Sequence, residues 1–167
     1  LKAAVLLNTE PEYDSAGGSA AAQTLAQAEM VITLSPFKAN MAFSDVLLPI
    51  APFTETSGSF VNAEGRLQSF HAVVKPLGET RPAWKVIRVL ANLLGVPGFD
   101  FETSQEVLAK ATATAPVLNN TSNAPLRMAG QVATPVVASI YQLDGVVRRA
   151  PSLQLTADAR TAQEVAA

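Results

Sequence analysis

His71 is the single histidine in this 167-residue sequence, and no cysteine accompanies it. These two counts restrict the metal and redox chemistry open to the chain. Zinc, copper and iron–sulfur centres are built from sets of imidazole and thiolate ligands. One imidazole joined by carboxylates is the most this sequence can offer. A partly exposed strand histidine is the simpler reading of His71. The lack of cysteine also removes disulfides and a cysteine nucleophile, and it fits a reducing compartment. Glu55 and Glu64 can be set against each other as an acid/base pair, yet solvated or capping carboxylates are the commoner use of such residues.

Two further groups invite a binding role. Ser15-Ala16-Gly17-Gly18 stands before a helical pattern, but it lacks the G-x-G-x-x-G order that brings backbone amides up to a pyrophosphate. Arg148-Arg149 offers two guanidinium groups to an anion, to a partner or to solvent. A net charge of −2 leaves no electrostatic footprint for nucleic acid or anionic lipid. By side-chain chemistry alone, the chain is an α/β domain with no visible active site.

The elements that must position these residues follow from periodicity. Hydrophobic residues make up 49% and charged residues 16%, which is the composition of a packed body, although alanine supplies much of it. The length is that of one domain. Residues 2–8 and 30–34 are short apolar runs that read as buried strands. Residues 19–29 between them place Ala21, Leu25 and Ala28 on one helical face. Strand, helix and strand at this spacing form a βαβ unit, which implies a parallel sheet. Residues 44–49 offer a third strand, halted by Pro49. Residues 58–74 read as a hairpin excursion, with turn chemistry at Ser57-Gly58 and Ala63-Glu64-Gly65. Thr80 is placed as the N-cap of a helix with Pro82 in its first turn and Gly95 past its end. Trp84, Ile87, Leu90, Ala91 and Leu94 form its apolar stripe. Thr103 and Glu106 open a shorter helix as a capping box, and Thr156 opens a final one.

The resulting expectation is a Rossmann- or flavodoxin-like open α/β sheet with a β-hairpin excursion and an irregular C-terminal extension. Its divisions are an α/β domain over 1–112, a linker-like loop over 113–130 and the extension over 131–167. The longest uncharged stretch near the end, residues 128–143, is broken by Gln131, Pro135 and Gln142. It falls short of the ~20 apolar residues that cross a bilayer. The chain starts at Leu1 with no basic stretch leading into an apolar one. The expectation is therefore a segment of a longer polypeptide without a signal peptide.

Several motifs occur in a fixed order. They are Asp45-Val46-Leu47-Leu48-Pro49, then Glu55-Thr56-Ser57-Gly58-Ser59-Phe60-Val61-Asn62, then Glu64-Gly65-Arg66-Leu67-Gln68. Pro76-Leu77-Gly78-Glu79 and Arg81-Pro82-Ala83-Trp84-Lys85 follow. This series, covering residues 44–95, resembles the molybdopterin oxidoreductase superfamily. Within it, Tyr141-Gln142-Leu143-Asp144 and the segment from Val147 to Gln154 are similar to the close of the large iron–sulfur subunit of bacterial NADH–quinone oxidoreductase, respiratory complex I.

That resemblance implies a structural part of a parent complex that passes electrons from NADH to quinone. The iron–sulfur clusters would lie elsewhere in the parent subunit, with no cofactor and no catalytic residue in this part. The implied partners are the other subunits of the peripheral arm, on the cytoplasmic side of the bacterial inner membrane, with Tyr141, Arg148 and Arg149 as contacts. An alternative is a pterin-binding part of a formate-dehydrogenase-like or nitrate-reductase-like enzyme, with Asn62, Glu64, Arg66 and Gln68 near the cofactor. A third reading is a stand-alone protein-interaction module. Active relatives usually present an aspartate after the second strand for the guanine edge of the pterin nucleotide. Here Thr33-Leu34-Ser35-Pro36 carries only hydroxyls, which cannot serve as a charge-assisted acceptor.

Overall fold

The computed structural model describes residues 1–114 and 139–166, which fall into two compact units. The first comprises Leu1–Thr9 and the chain from Leu25 onward through the central region. The second joins Glu10–Thr24 to the C-terminal segment.

The first unit is built on a parallel sheet of order β1-β2-β3, with β1 at Ala3–Leu7, β2 at Met30–Ser35 and β3 at Val46–Pro49. The expected α/β class is therefore found. Strand β2 lies in the centre because its run of Val31, Ile32, Thr33 and Leu34 can be buried on both faces, as a parallel sheet requires. Val31, Thr33, Leu34 and Ser35 are all buried. The two buried hydroxyls are satisfied locally: Thr33 Oγ1 shares a 2.7 Å bond with Ser44 Oγ, and Ser35 Oγ accepts the Phe37 amide. Asp45 fastens β3 to β2, since its Oδ2 accepts the Val31 amide at 2.6 Å and its own amide donates to the Val31 carbonyl. Pro49, which has no amide hydrogen to give, sits at the last position of β3.

After β3 the chain forms an antiparallel hairpin, β4 at Gly58–Val61 and β5 at Leu67–Phe70. The expected strand to residue 74 ends at Phe70, and the Val73 amide turns to the Thr54 carbonyl. Asn62 shapes the turn: its Oδ1 accepts the amides of both Glu64 and Arg66, and Gly65 takes a φ of 81° that side chains disfavour.

Helix α3 follows at Ala83–Leu93. Its N-cap is Pro82 rather than Thr80, whose hydroxyl donates back to the Leu77 carbonyl instead. Pro82 has an extended ψ of 134°, so the helix starts two residues later than the pattern implies. Its end is a Schellman closure, with Val96 N–H on Ala91 O, Gly95 N–H on Asn92 O and Gly95 at φ 69°. Of the expected stripe, Ala91 is buried and Trp84, Ile87 and Leu90 are half-buried, but Leu94, the C-cap, is 70% exposed. Helix α4, Ser104–Thr114, opens on Thr103, whose Oγ1 accepts the Glu106 amide. The Glu106 carboxylate reaches the Glu102 amide, one residue before the usual reciprocal bond. The helix therefore runs two residues into the span read as a linker, and the rest of 113–130 lies outside the described residues. The apolar run from 132 to 138 also lies outside them.

In the second unit, α1 (Pro11–Asp14) and α2 (Ser19–Leu25) accompany α5 (Ile140–Leu143), a 3-10 turn at Val147–Arg149, α6 (Pro151–Gln154) and α7 (Ala157–Ala166). Where the span expected to be an irregular extension is described, from residue 139 to 166, it forms helices joined by short turns. Helix α2 stops at Leu25, four residues short of the expected end. Thr156 caps α7 as expected, its Oγ1 accepting the Ala159 amide. Glu10 is buried here, its carboxylate held by Arg148 and Arg149. Among the described residues, no helix is long and apolar enough to cross a membrane.

Burial orders the stabilities. Leu34→Ala, at a fully buried site, should cost about 3–4 kcal/mol, while half-buried Trp84→Ala should cost about 2 kcal/mol. Exposed His71→Ala should change stability by no more than about 0.5 kcal/mol. Denaturant midpoints of the three variants check this ranking, and an equal, large loss at His71 contradicts it.

Candidate functional site

The carboxyl ends of β1 and β3 open into a cavity of about 370 Å³ in the first unit. Leu7 and Asn8 form one side of it, Ile50 and Ala51 the other, and Gly58, Phe60, Phe70 and Trp84 close it. This is where ligands sit in open α/β sheets, because the strands end there and loops can reach over them. Asn8 adopts a φ of 53°, and its amide bonds the Leu34 carbonyl, which holds the end of β1 against β2. The Ile50–Arg81 bridge and the Ala51 amide on Arg81 O tie the end of β3 to the chain entering α3.

A second cavity, of about 420 Å³, lies against the hairpin and is lined by Thr54, Gln68, Ser69, His71 and Val73. It shares Phe53, Phe60 and Phe70 with the first. The rings of Phe60 and Phe70 stack with centroids 4.9 Å apart, and Phe53 meets Phe60 edge-on at 6.2 Å. Phe53 and Phe60 remain 55% and 60% exposed. The site thus presents aromatic surface in the size range of small-molecule cavities. No Lys, Arg, Asp or Glu among the described residues lines either cavity, which leaves the His71 imidazole of the second as the lining group able to carry positive charge.

Motif and periodicity do not single out this aromatic group. The signal lies in the register: Gly58 pairs with Phe70 and Phe60 with Gln68, which sets Phe60 and Phe70 diagonally on one face. A β-carbon on Gly58 would come within 2.9 Å of Phe70 Cζ, so the ring occupies the space that a side chain would fill.

The residues singled out for chemistry are dispersed. Asn62, Glu64, Arg66 and Gln68 are all exposed on the hairpin, and only Gln68 lines a cavity. The Asn62 oxygen is used in its own turn. No ion pair joins Glu64 to Arg66 among the described residues. Glu55 does not form a pair with Glu64; its Oε2 accepts the Leu77 amide at 2.8 Å, while Glu64 sits in the exposed turn. Ser15 donates to the Pro11 carbonyl. Among the described residues, no three His, Asp or Glu side chains come together as metal ligands.

Comparison with known proteins decides the lineage. Residues 1–93 match the family "Molybdopterin oxidoreductase". The chain belongs to the molybdopterin oxidoreductase family. Among similar proteins, "Probable oxidoreductase YjgC" of Bacillus subtilis (strain 168) is 39% identical over 75 residues, 45% of this chain and 8% of that protein. A "Putative formate dehydrogenase" of Staphylococcus aureus (strain bovine RF122 / ET3-1) is 47% identical over 53 residues, 32% of this chain and 5% of that protein. A second S. aureus protein of that name, from strain USA300, is 32% identical over 75 residues, 45% of this chain and 8% of its own length. The chain therefore spans under a tenth of the length of these relatives.

For a molybdopterin oxidoreductase, the fit of the cofactor turns on how these residues could meet its charge. A pterin dinucleotide carries a pyrophosphate, which needs cationic side chains or converging amides. The cavity linings offer no Lys or Arg, Ser35 Oγ is engaged by the Phe37 amide, and the four hairpin residues do not converge. By side-chain charge, these two cavities do not by themselves fit a dinucleotide's pyrophosphate. Their aromatic wall depends on Gly58: Gly58→Ala should displace the Phe70 ring and cost about 1–3 kcal/mol. Near-ultraviolet circular dichroism and denaturant unfolding check this, and an unchanged aromatic signal with unchanged stability contradicts it.

Proposed function

We propose that this chain is part of a formate-dehydrogenase-like molybdopterin oxidoreductase, in which it forms a wall beside the catalytic centre and supplies no reacting group. The observation that carries this reading is the 47% identity over 53 residues to a protein named as a formate dehydrogenase. The position of the aromatic cavity at the carboxyl ends of the strands supports it, because that edge is where an open α/β sheet meets its ligand. In this reading Gln68 is the hairpin residue nearest in role to the cofactor. Asn62, Glu64 and Arg66 serve mainly the turn, and the anionic part of the pterin is held by residues outside this cleft.

A second reading has its own support. Residues 141–144 and 147–154 resemble the close of the large iron–sulfur subunit of respiratory complex I, and β2 ends on Thr33-Leu34-Ser35, with hydroxyls and no carboxylate. In that reading the chain is a scaffold without molybdenum, and electrons from NADH pass through iron–sulfur clusters elsewhere in the subunit. It would then face the cytoplasm within the peripheral arm. Neighbouring subunits would meet Ile140, Leu143 and Val146, which are exposed, more than Arg148 and Arg149, which are engaged within the chain.

Purification of the full polypeptide that carries this chain separates the two. Stoichiometric molybdenum with formate-dependent reduction of a viologen dye is the expected result. NADH-dependent quinone reduction by an assembled complex, with no molybdenum in this subunit, overturns it in favour of the second reading.

A further inference from the structure

In the second unit, one buried carboxylate is engaged by two cations. Glu10 is 8% exposed, and its carboxylate meets two guanidinium groups at once. Arg148 Nη2 approaches Oε2 at 2.8 Å, Arg149 Nη1 approaches Oε1 at 2.8 Å, and Arg149 Nη2 donates to Oε2 at 2.9 Å. Glu10 and Arg149 lie 139 positions apart in the sequence, so a single carboxylate closes a very long loop.

The arginines are preorganised for this contact. The Arg148 guanidinium sits 4.1 Å from the centroid of the Tyr13 ring and donates to the carbonyls of Gln142 and Leu143. Arg149 also donates to the Gly145 carbonyl. Gln154 Nε2 bonds the carbonyls of Tyr141 and Val147, so residues 139–155 form one folded strap around the two arginines.

We propose that Glu10 is the latch of this strap: its negative charge keeps residues 139–155 docked on the 10–14 turn, and neutralising that charge releases them. The reasoning is a charge count in a poorly solvated place. With Glu10 ionised, one negative charge lies between two positive ones. With it neutral, two guanidinium groups face each other beside a side chain that no longer attracts them, and Arg148, whose own side chain is 11% exposed, is left buried without a counter-charge. Arg148 Nε lacks a hydrogen-bond partner, and the Gln142 and Leu143 carbonyls and the Tyr13 ring that meet the rest of the group supply no countering negative charge.

The other titratable groups on the surrounding elements do not replace Glu10. On α1 these are Glu12, Tyr13 and Asp14, and the Asp14 carboxylate accepts the Glu10 amide at 2.6 Å. On and after α5 they are Tyr141 and Asp144, and the Asp144 carboxylate caps the amides of Val146 and Val147. Among the described side chains, helix α7 carries Asp158 and Arg160. Within ion-pair distance of the Glu10 carboxylate, the described residues place Arg148 and Arg149.

The pH dependence has a definite sign. Burial pushes the Glu10 carboxyl up, but the bonds from Arg149 and Arg148 and their positive charges outweigh it and hold the carboxyl below its ordinary value of 4.5. A depressed carboxyl stabilises the docked strap at pH values above the unfolded value. That contribution is lost as the pH falls through the lower, folded value.

Hydrogen exchange of the full 167-residue chain, followed peptide by peptide by mass spectrometry, tests the latch. In Glu10→Gln at pH 7, protection of peptides from 11–14 and 140–154 should fall at least tenfold, while β2 and α3 keep theirs. Trypsin should cut after Arg148 or Arg149 at least tenfold faster in this variant. Wild-type chain taken stepwise to acid below pH 4.5, with exchange corrected for intrinsic rates, should lose protection in the same peptides before β2 does, which tests the latch without any substitution. Equal strap protection in variant and wild type at pH 7 overturns the proposal. So does a wild-type strap that stays protected in acid until β2 opens.

Discussion

Strand β2 is paired on both edges and covered on both faces, and the first unit is arranged to permit this. A buried strand leaves no water for its polar groups, so every amide, carbonyl and hydroxyl must find a protein partner. The flanking parallel strands take the backbone groups, Ser44 takes the Thr33 hydroxyl, and the turn at Phe37 takes Ser35. Asp45 adds a side-chain acceptor for Val31 where β3 begins. The apolar run of β2 and the polar residues around its ends thus serve one requirement. The run supplies burial, and the surrounding groups make burial tolerable.

The same arrangement brings the cavity into being. Because β1 and β3 end beside the buried end of β2, the chain beyond them has to turn away, and the hairpin and the start of α3 cover the edge that remains. Phe60 and Phe70 stack there because the register sets them on one face, and Gly58 leaves room for the ring. The result is aromatic and nearly free of charge. That character suits a wall or a stacking surface beside a ligand, and it is poorly suited to holding phosphates or moving protons.

Polar side chains elsewhere are used mostly to satisfy backbone amides. Asn62, Glu55, Asp45, Asp144 and Glu106 each commit an oxygen to backbone amides, where a carboxylate or amide side chain acts as a turn or cap. Glu10 is used differently: both its oxygens face guanidinium groups across a long loop, whereas the Glu79–Arg81 and Glu102–Arg88 pairs have highly exposed carboxylates. This division explains why residues that look chemically promising one at a time do not gather into a catalytic constellation.

The local elements were legible in the order of residues alone. Apolar runs bounded by proline and turn residues located β1, β2 and β3; Asn62 and Gly65 marked the hairpin turn; Gly95 marked the end of α3; and Thr103 and Thr156 marked helix starts. In each case the signal is a preference of a few adjacent residues for one backbone conformation, which a sequence displays directly. The ordered motifs over 44–95 likewise carried the family. Short α1 was missed, although Pro11 at its first turn with Glu12 and Asp14 behind it was a usable sign; four residues are too few for a period to show. Folding in three dimensions was needed to establish that Asn62, Glu64, Arg66 and Gln68 stay apart, that Phe53, Phe60 and Phe70 come together, and that Arg148 and Arg149 turn inward onto Glu10. Those outcomes depend on strand register and on contacts between residues far apart in the chain, where spacing in the sequence says nothing about distance in space.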